Sequence, residues 1–224
     1  MTNYKKYTLT ITLLFSPLLA INLGDYINEN NCNQILDKEY FEVCYDYKLK
    51  GTKAVSYTLH GDSVNQKNIK KRPSFKVEKE IDRDKRASSS DYTKSGYDRG
   101  HLACDASFDW SKHSLNATYK LSNIIPQVRR VNRYTWIKAE RYERFIAVRL
   151  GEVNVINLVQ YSKNPKYIGK HKIAVPKGFY KILYNKNKNF ERCLYYKNDN
   201  NINVKADKLK QHVVSCKNLN ILLK

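Results

Sequence analysis

The sequence predicts a single α+β domain of several strands, one long helix and a few smaller helices. Three observations carry that expectation. Short runs in which aromatic and β-branched residues alternate with polar ones recur along the chain. The stretch between Pro126 and Gly151 holds neither proline nor glycine and has room for a helix of several turns. No repeat or low-complexity linker interrupts residues 40–224, and 224 residues with 42% hydrophobic side chains suffice for one ordinary core.

Taken in order, the chain opens on Lys5 and Lys6, followed by the uncharged and largely apolar run Tyr7 to Ala20. That pattern reads as an export signal over residues 1–20, cleaved after Ala20, with a mature domain over 21–224. The run is too short to span a bilayer comfortably. Asn28 to Asn33 is Asn-rich and reads as a mobile lead-in. Tyr40–Tyr47 and Ala54–Leu59 have strand patterning, and Ser63–Ser95 is polar enough to be a long surface loop. The helix is placed over Val131–Arg149, with Trp136, Ile137, Tyr142, Phe145 and Val148 as its apolar positions. Val153–Tyr161 suits a buried strand, and Lys172–Val175 and Phe179–Tyr184 suit further strands. Arg192–Tyr196 is expected to pair with the last of these across the polar turn Asn185–Asn189. Ala206–Val214 closes the series as a short helix.

Lys and Arg number 41 against 21 Asp and Glu, a formal net charge of +20. A surface this cationic attracts polyanions by neutralising phosphates and releasing counterions, so nucleic acid, anionic lipid and acidic glycans all qualify as partners. Charge alone does not choose among them. Five cysteines are compatible with an oxidising compartment. Cys32 with Cys44 and Cys193 with Cys216 are each close enough in sequence to close a modest loop, which leaves Cys104 unpaired. No CxxC occurs and the five histidines are scattered, so a structural zinc site is not indicated.

Two segments concentrate chemistry. One is Tyr97-Asp98-Arg99-Gly100-His101-Leu102; the other is Leu121-Ser122-Asn123-Ile124-Ile125-Pro126-Gln127, running on to Asn132, Trp136, Glu140 and Arg144. On a helix those last four residues are four positions apart and drift by only about 40° per step, so they share one broad face. A neutral amide, an acid and a base lined up beside a histidine-bearing segment suggest a site, although Trp136 alone is more simply a core residue.

In order and spacing these blocks resemble the DNA/RNA non-specific endonucleases of the ββα-metal superfamily. The motif-rich core covers about residues 54–150, and Pro176–Tyr184 extends the likeness. The resemblance implies a central antiparallel sheet with one long active-site helix, and hydrolysis of phosphodiester bonds in DNA and RNA. It implies His101 as general base, since a neutral imidazole takes a proton from water near neutral pH, with a backbone carbonyl orienting its other nitrogen. It implies Asn132 as the protein ligand of Mg²⁺, with Mn²⁺ able to substitute, a hard cation that keeps most of its waters when few protein groups hold it. Glu140 would hold those waters. Arg99 and Arg144 would clamp phosphate. Asn123 is assigned to substrate contact, with structural support as the equal alternative, and Arg133 to substrate contact, while Asp98 orders the loop and Gly100 permits close backbone approach or a positive φ.

The chain departs from the family pattern in two places. Leu102-Ala103-Cys104 stands where many relatives have Leu-Ala-Pro, and Lys50 and Lys53 stand where an arginine commonly precedes the Val55-Ser56-Tyr57 strand, so Lys50 is a candidate substrate contact. Lys138, Arg129, Arg130, Arg133, Arg141 and Arg149 would form a basic rim that tracks phosphates without reading bases. The remaining histidines, His60, His113, His171 and His212, are expected to be structural. A non-catalytic exported DNA-binding protein explains charge and export equally well, but needs neither a base at His101 nor a hard-metal ligand at Asn132. A membrane-bound role is disfavoured because no free amphipathic basic helix is present.

Overall fold

The computed structural model describes residues 21, 23–64, 66, 68–217 and 219; the expected signal segment, residues 1–20, lies outside them. Seven antiparallel strands form the main sheet in the order β1 (Gln34–Asp37), β2 (Glu42–Asp46), β3 (Gly51–His60), β6 (Glu152–Gln160), β9 (Gly178–Asn185), β10 (Phe190–Lys197) and β11 (Val213–Val214). Between β3 and β6 the chain leaves this sheet and builds α1 (Gly61–Val64), β4 (Tyr97–His101), α2 (Lys112–Thr118), β5 (Ile124–Val128) and α3 (Ile137–Leu150). A small pair, β7 (Tyr167–Ile168) and β8 (Ile173–Ala174), links β6 to β9.

The central strand β6 explains the layering. Its Val153, Val155 and Val159 point to one face of the sheet and Ile156 and Leu158 to the other, the period of two that a pleated strand imposes. The first face packs under α3 through Ala139, Ile146 and Ala147, together with Trp136, Val55, Tyr57, Phe179 and Leu183. The second is covered by Tyr26, Ile27 and the Cys32–Cys44 disulfide on one side, and the Cys193–Cys216 disulfide on the other. Both predicted pairings are therefore present, and Cys104 is a buried free thiol.

The Asn28–Asn33 lead-in is a fixed turn: Asn28 Oδ1 accepts from the amides of Asn30 and Asn31 at 3.0 and 3.1 Å, and Cys32 is tied to β2. Segment 63–95 is more than a surface loop, because Ile81, Ala87, Tyr92, Glu78 and Asp91 are buried and its apolar residues join a third cluster with Leu121, Ile124 and Ile173. The helix expected at Ala206–Val214 reduces to a single 3₁₀ turn, Leu209–His212. Extended chain follows at β11, as pairing with β10 next to the Cys193–Cys216 bridge requires.

The long helix is regular only from Ile137. Its entry, Val131–Trp136, is wound as a π-helix, and Gly151, at φ +89°, ends it at the C-terminus. The four-residue spacing of Asn132, Trp136, Glu140 and Arg144 thus does not trace one α-helical face: Trp136 is fully buried against Phe179 and Tyr196, while Asn132 is half-buried at the outer edge.

Candidate active site

Strands β4 and β5 pair antiparallel, with His101 opposite Ile124, and β5 runs almost directly into the helix. The pair is moored to the main sheet through its flanks, and Asn198, just past β10, accepts from the Val128 amide and donates to the Pro126 carbonyl of β5 at 2.8 and 3.0 Å. Thr52 Oγ1 donates to the Ser122 carbonyl, and Asn157 Nδ2 donates to the Leu102 carbonyl at 3.0 Å. Gly100 is required by close approach, because a Cβ there would lie 2.2 Å from the Gln127 side chain; its φ is not positive.

Arg99 and His101 project from the same face of β4, as alternate strand residues do, and both meet Phe75, whose ring lies 5.5 Å from the His101 ring and 5.5 Å from the Arg99 guanidinium. Tyr119 packs edge-on to His101 at 4.8 Å, and Tyr92 faces Arg99 at 5.4 Å. Arg99 donates from Nη2 to the Ser89 carbonyl at 2.7 Å. His101 Nε2 is buried and, among the described residues, has no hydrogen-bond partner, so the orienting carbonyl expected from the resemblance is not found; aromatic packing holds the ring instead. Nδ1 is the ring nitrogen that remains open. Burial lowers the His101 pKa to about 4, with Asp105 opposing and Arg72 reinforcing the shift.

The helix side is joined to β4 through Asp98. Its carboxylate accepts from Asn132 Nδ2 at 3.2 Å and from Arg133 Nε and Nη2 at 2.6 and 2.9 Å. A carboxylate only accepts, so the amide must present nitrogen inward and leave Oδ1 free. Burial works against the Asp98 charge, but Arg133, Asn132 and Arg129 hold its carboxyl below the ordinary value. Two turns on, Glu140 is half-buried; burial raises its pKa to about 7, with Lys181 opposing and Glu143 reinforcing. Arg144 donates from Nη1 to Cys104 Sγ at 3.3 Å and to Ser107 Oγ at 3.5 Å, and burial keeps that thiol well above its ordinary pKa and so neutral. The Asn132–Asp98 and Arg144–Cys104 bonds tie the helix to the two ends of the segment that carries His101.

Some assignments change. Asn123 is fully buried, its Oδ1 accepting from the Ala103 amide at 2.8 Å and its Nδ2 donating to the Ala103 and Thr118 carbonyls at 2.9 Å, so it positions the chain just past His101. Arg133 is exposed but spends two donors on Asp98. Lys50 sits in the β2–β3 turn at φ +45°, and among the described residues no hydrogen bond or ion pair joins it to the site. In the basic rim, Lys138 is paired with Asp207 at 2.7 Å and Arg129 with Asp98 at 3.6 Å, whereas Arg141 and Arg149 stand exposed.

Sequence reasoning missed the buried support beneath. Glu143 is fully buried, receives hydrogen bonds from Tyr57 and Ser107, and is paired with the fully buried Lys181, whose ammonium lies 4.8 Å from the centre of the Trp136 ring. A lysine inside the apolar run of β9 and a glutamate within the buried stripe of α3 were the available signals.

Two strands feeding a helix, with a histidine on the first strand and an amide at the helix entry, define a ββα-metal nuclease fold. A family profile described as DNA/RNA non-specific endonuclease matches residues 23–222, and the chain belongs to that family. It is 30% identical over 164 residues to human "Endonuclease G, mitochondrial", covering 67% of this chain and 54% of that protein. It is also 30% identical over 165 residues to the Saccharomyces cerevisiae "Mitochondrial nuclease", covering 67% and 50%. The chain spans about half the length of these curated relatives. A solved structure described as an EndoG/EndoGI complex superposes with a TM-score of 0.76 at 22% identity, covering 84% of this chain and 83% of that one, a likeness of fold.

Proposed function

We propose that the chain is an exported, Mg²⁺-dependent endonuclease that hydrolyses phosphodiester bonds of DNA and RNA with little sequence preference. The observation that carries this reading is the pair His101 and Asn132: an imidazole kept neutral by burial with Nδ1 open, and an amide whose oxygen is turned outward by Asp98.

His101 takes a proton from the attacking water, which is what its unprotonated ring at neutral pH suits it to do. Asn132 Oδ1, an oxygen with no donor among the described residues, fits a hard cation, and Glu140 is the carboxylate assigned to hold the ion's hydration. When bound, Mg²⁺ supplies positive charge against the phosphate as negative charge grows there. Arg99, gripped by the Ser89 carbonyl and two rings, and Arg144, gripped by Cys104 and Ser107, offer guanidinium donors to phosphate oxygens. In this reading each group serves the phosphate, the cation or the attacking water and none a base edge, which supports low sequence preference.

Export is supported by the basic-then-apolar N-terminus and by two disulfides, which persist in oxidising compartments, so the periplasm or the extracellular space is the proposed location. Among the described residues no helix is long and apolar enough to cross a membrane. Supercoiled plasmid and RNA incubated with the purified mature chain should both be degraded with Mg²⁺ or Mn²⁺ and be spared by chelator. Binding without cleavage under all of these conditions would select the non-catalytic DNA-binding alternative.

A further inference from the structure

A cavity of about 190 Å³ opens beside the turn that carries Ser89, lined by Arg83, Arg86, Ser88 and His171 together with Val77 and Ala87. Its polar lining is two guanidiniums, a hydroxyl and an imidazole, with no carboxylate. Among the described residues, no hydrogen bond or ion pair engages the exposed Arg83 guanidinium. Arg86 commits only Nη1, to the Glu78 and Ile81 carbonyls at 3.2 and 3.3 Å, which fixes the side chain while its other donors stay free. His171 is fixed from behind: its backbone amide and Nδ1 both meet the Asp91 carboxylate, at 3.0 and 2.9 Å, so Nε2 is the uncommitted nitrogen. Asp91 is fully enclosed, and Asp82, beside Arg83, is paired with Lys85 at 2.9 Å. Two guanidiniums and a hydroxyl converging on one small space supply the donors that a phosphate's oxygens require.

Its location says whose phosphate. Ser88, on the wall, is bonded in sequence to Ser89, whose carbonyl receives Arg99 at 2.7 Å, and neighbouring Cα atoms are about 3.8 Å apart. The cavity and the Arg99 clamp therefore meet at adjacent residues of one backbone turn. The β7–β8 pair extends the same positive ground: Lys166 lies over the Tyr97 ring at 5.5 Å, Lys170 and Lys172 flank His171, and Tyr167 is 42% exposed. We propose that this cavity is an accessory subsite for an internal backbone phosphate of the nucleic-acid strand, a short distance along it from the phosphate held at Arg99. The proposal rests on the nuclease reading of the main site.

The test uses the mature chain and its Arg83→Ala and Arg83→Glu variants, since Arg83 is exposed and its replacement leaves the fold-bearing bonds of Arg86 intact. Dinucleotide substrates, which span little beyond the scissile phosphate, should be cleaved at unchanged kcat/KM. For oligonucleotides of a dozen residues KM should rise roughly three- to tenfold with kcat kept, more for Glu than for Ala, and the salt slope of binding should fall by about 1. The loss should be the same with and without a 5′-phosphate; a loss confined to 5′-phosphorylated strands overturns the assignment to an internal phosphate. Equal ratios of long to short substrate in wild type and Arg83→Glu overturn the subsite. If the wild type cleaves nothing, the nuclease reading fails on its own. The subsite is then decided by fluorescence anisotropy of the long oligonucleotide, where unchanged affinity and salt slope in Arg83→Glu overturn it and a tenfold weakening supports it.

Discussion

Asn132 donates its amide nitrogen to the Asp98 carboxylate at 3.2 Å, so the strand that carries His101 also dictates which end of the Asn132 side chain faces outward. Replacing Asp98 by alanine frees the amide to turn and releases Arg133. The half-saturating Mg²⁺ concentration should rise and kcat/KM fall, together about 10- to 100-fold. An Mg²⁺ titration matching wild type, in a variant with an intact far-ultraviolet spectrum, would remove Asp98 from this role.

His101→Ala should lower kcat by about 100- to 10,000-fold while binding of nucleic acid persists. Stability offers a second reading. The unfolded chain takes up a proton on this ring near the ordinary value of about 6.5, the folded chain only near about 4. The folded state is therefore the poorer proton binder, and this contribution is complete above pH 6.5 and lost as pH falls towards 4. Denaturant melts across that window should show a steeper decline for wild type than for His101→Asn. Parallel curves would contradict the buried neutral ring.

Glu140, raised to about 7, should give the pH–rate profile an acid limb near neutrality, activity rising as the carboxylate ionises. Added Mg²⁺ favours the ionised form, so the limb should move to lower pH as Mg²⁺ increases, and Glu140→Gln should flatten it at a lower maximum rate. A limb indifferent to both manipulations would assign it to another group.

The Glu143–Lys181 pair is enclosed on every side. Lys181→Met strands a carboxylate in the core and should cost about 3–5 kcal/mol in denaturant melts, and a Glu143→Leu, Lys181→Met double variant should recover much of that. Single and double variants of equal stability would show that the two charges do not depend on each other.

The candidate site was legible as far as its residues fall in short blocks: Asp98 to His101 on β4, Asn132, Glu140 and Arg144 on the helix. The strands β6, β9 and β10 were legible from β-branched and aromatic patterning, with Asn189 taking the left-handed conformation, φ +47°, in the turn between β9 and β10. What the pattern hid were decisions made by tertiary contact. Asn123 has the chemistry of a substrate contact, yet the backbone of Ala103 claims it. Segment 63–95 looked polar because a few buried residues, Ile81, Ala87 and Tyr92, anchor a long stretch whose remaining side chains face water. β4 and β5 were read only as motifs, since a strand holding Gly100 and another holding Pro126 carry little strand propensity of their own.

The π-wound entry at Val131–Trp136 places a constraint on chain length where none is visible in residue type. Such a turn closes over five residues where an α-turn closes over four. Deleting a single codon anywhere within it would let regular winding return, and each residue of regular helix carries about 100° of rotation. Asn132 would swing far from Asp98 even though every side chain in the centre survived. Exchange of the exposed Tyr134 leaves that spacing untouched. Counting residues between β5 and Ile137 is therefore a sharper check on a distant homologue than matching their identities.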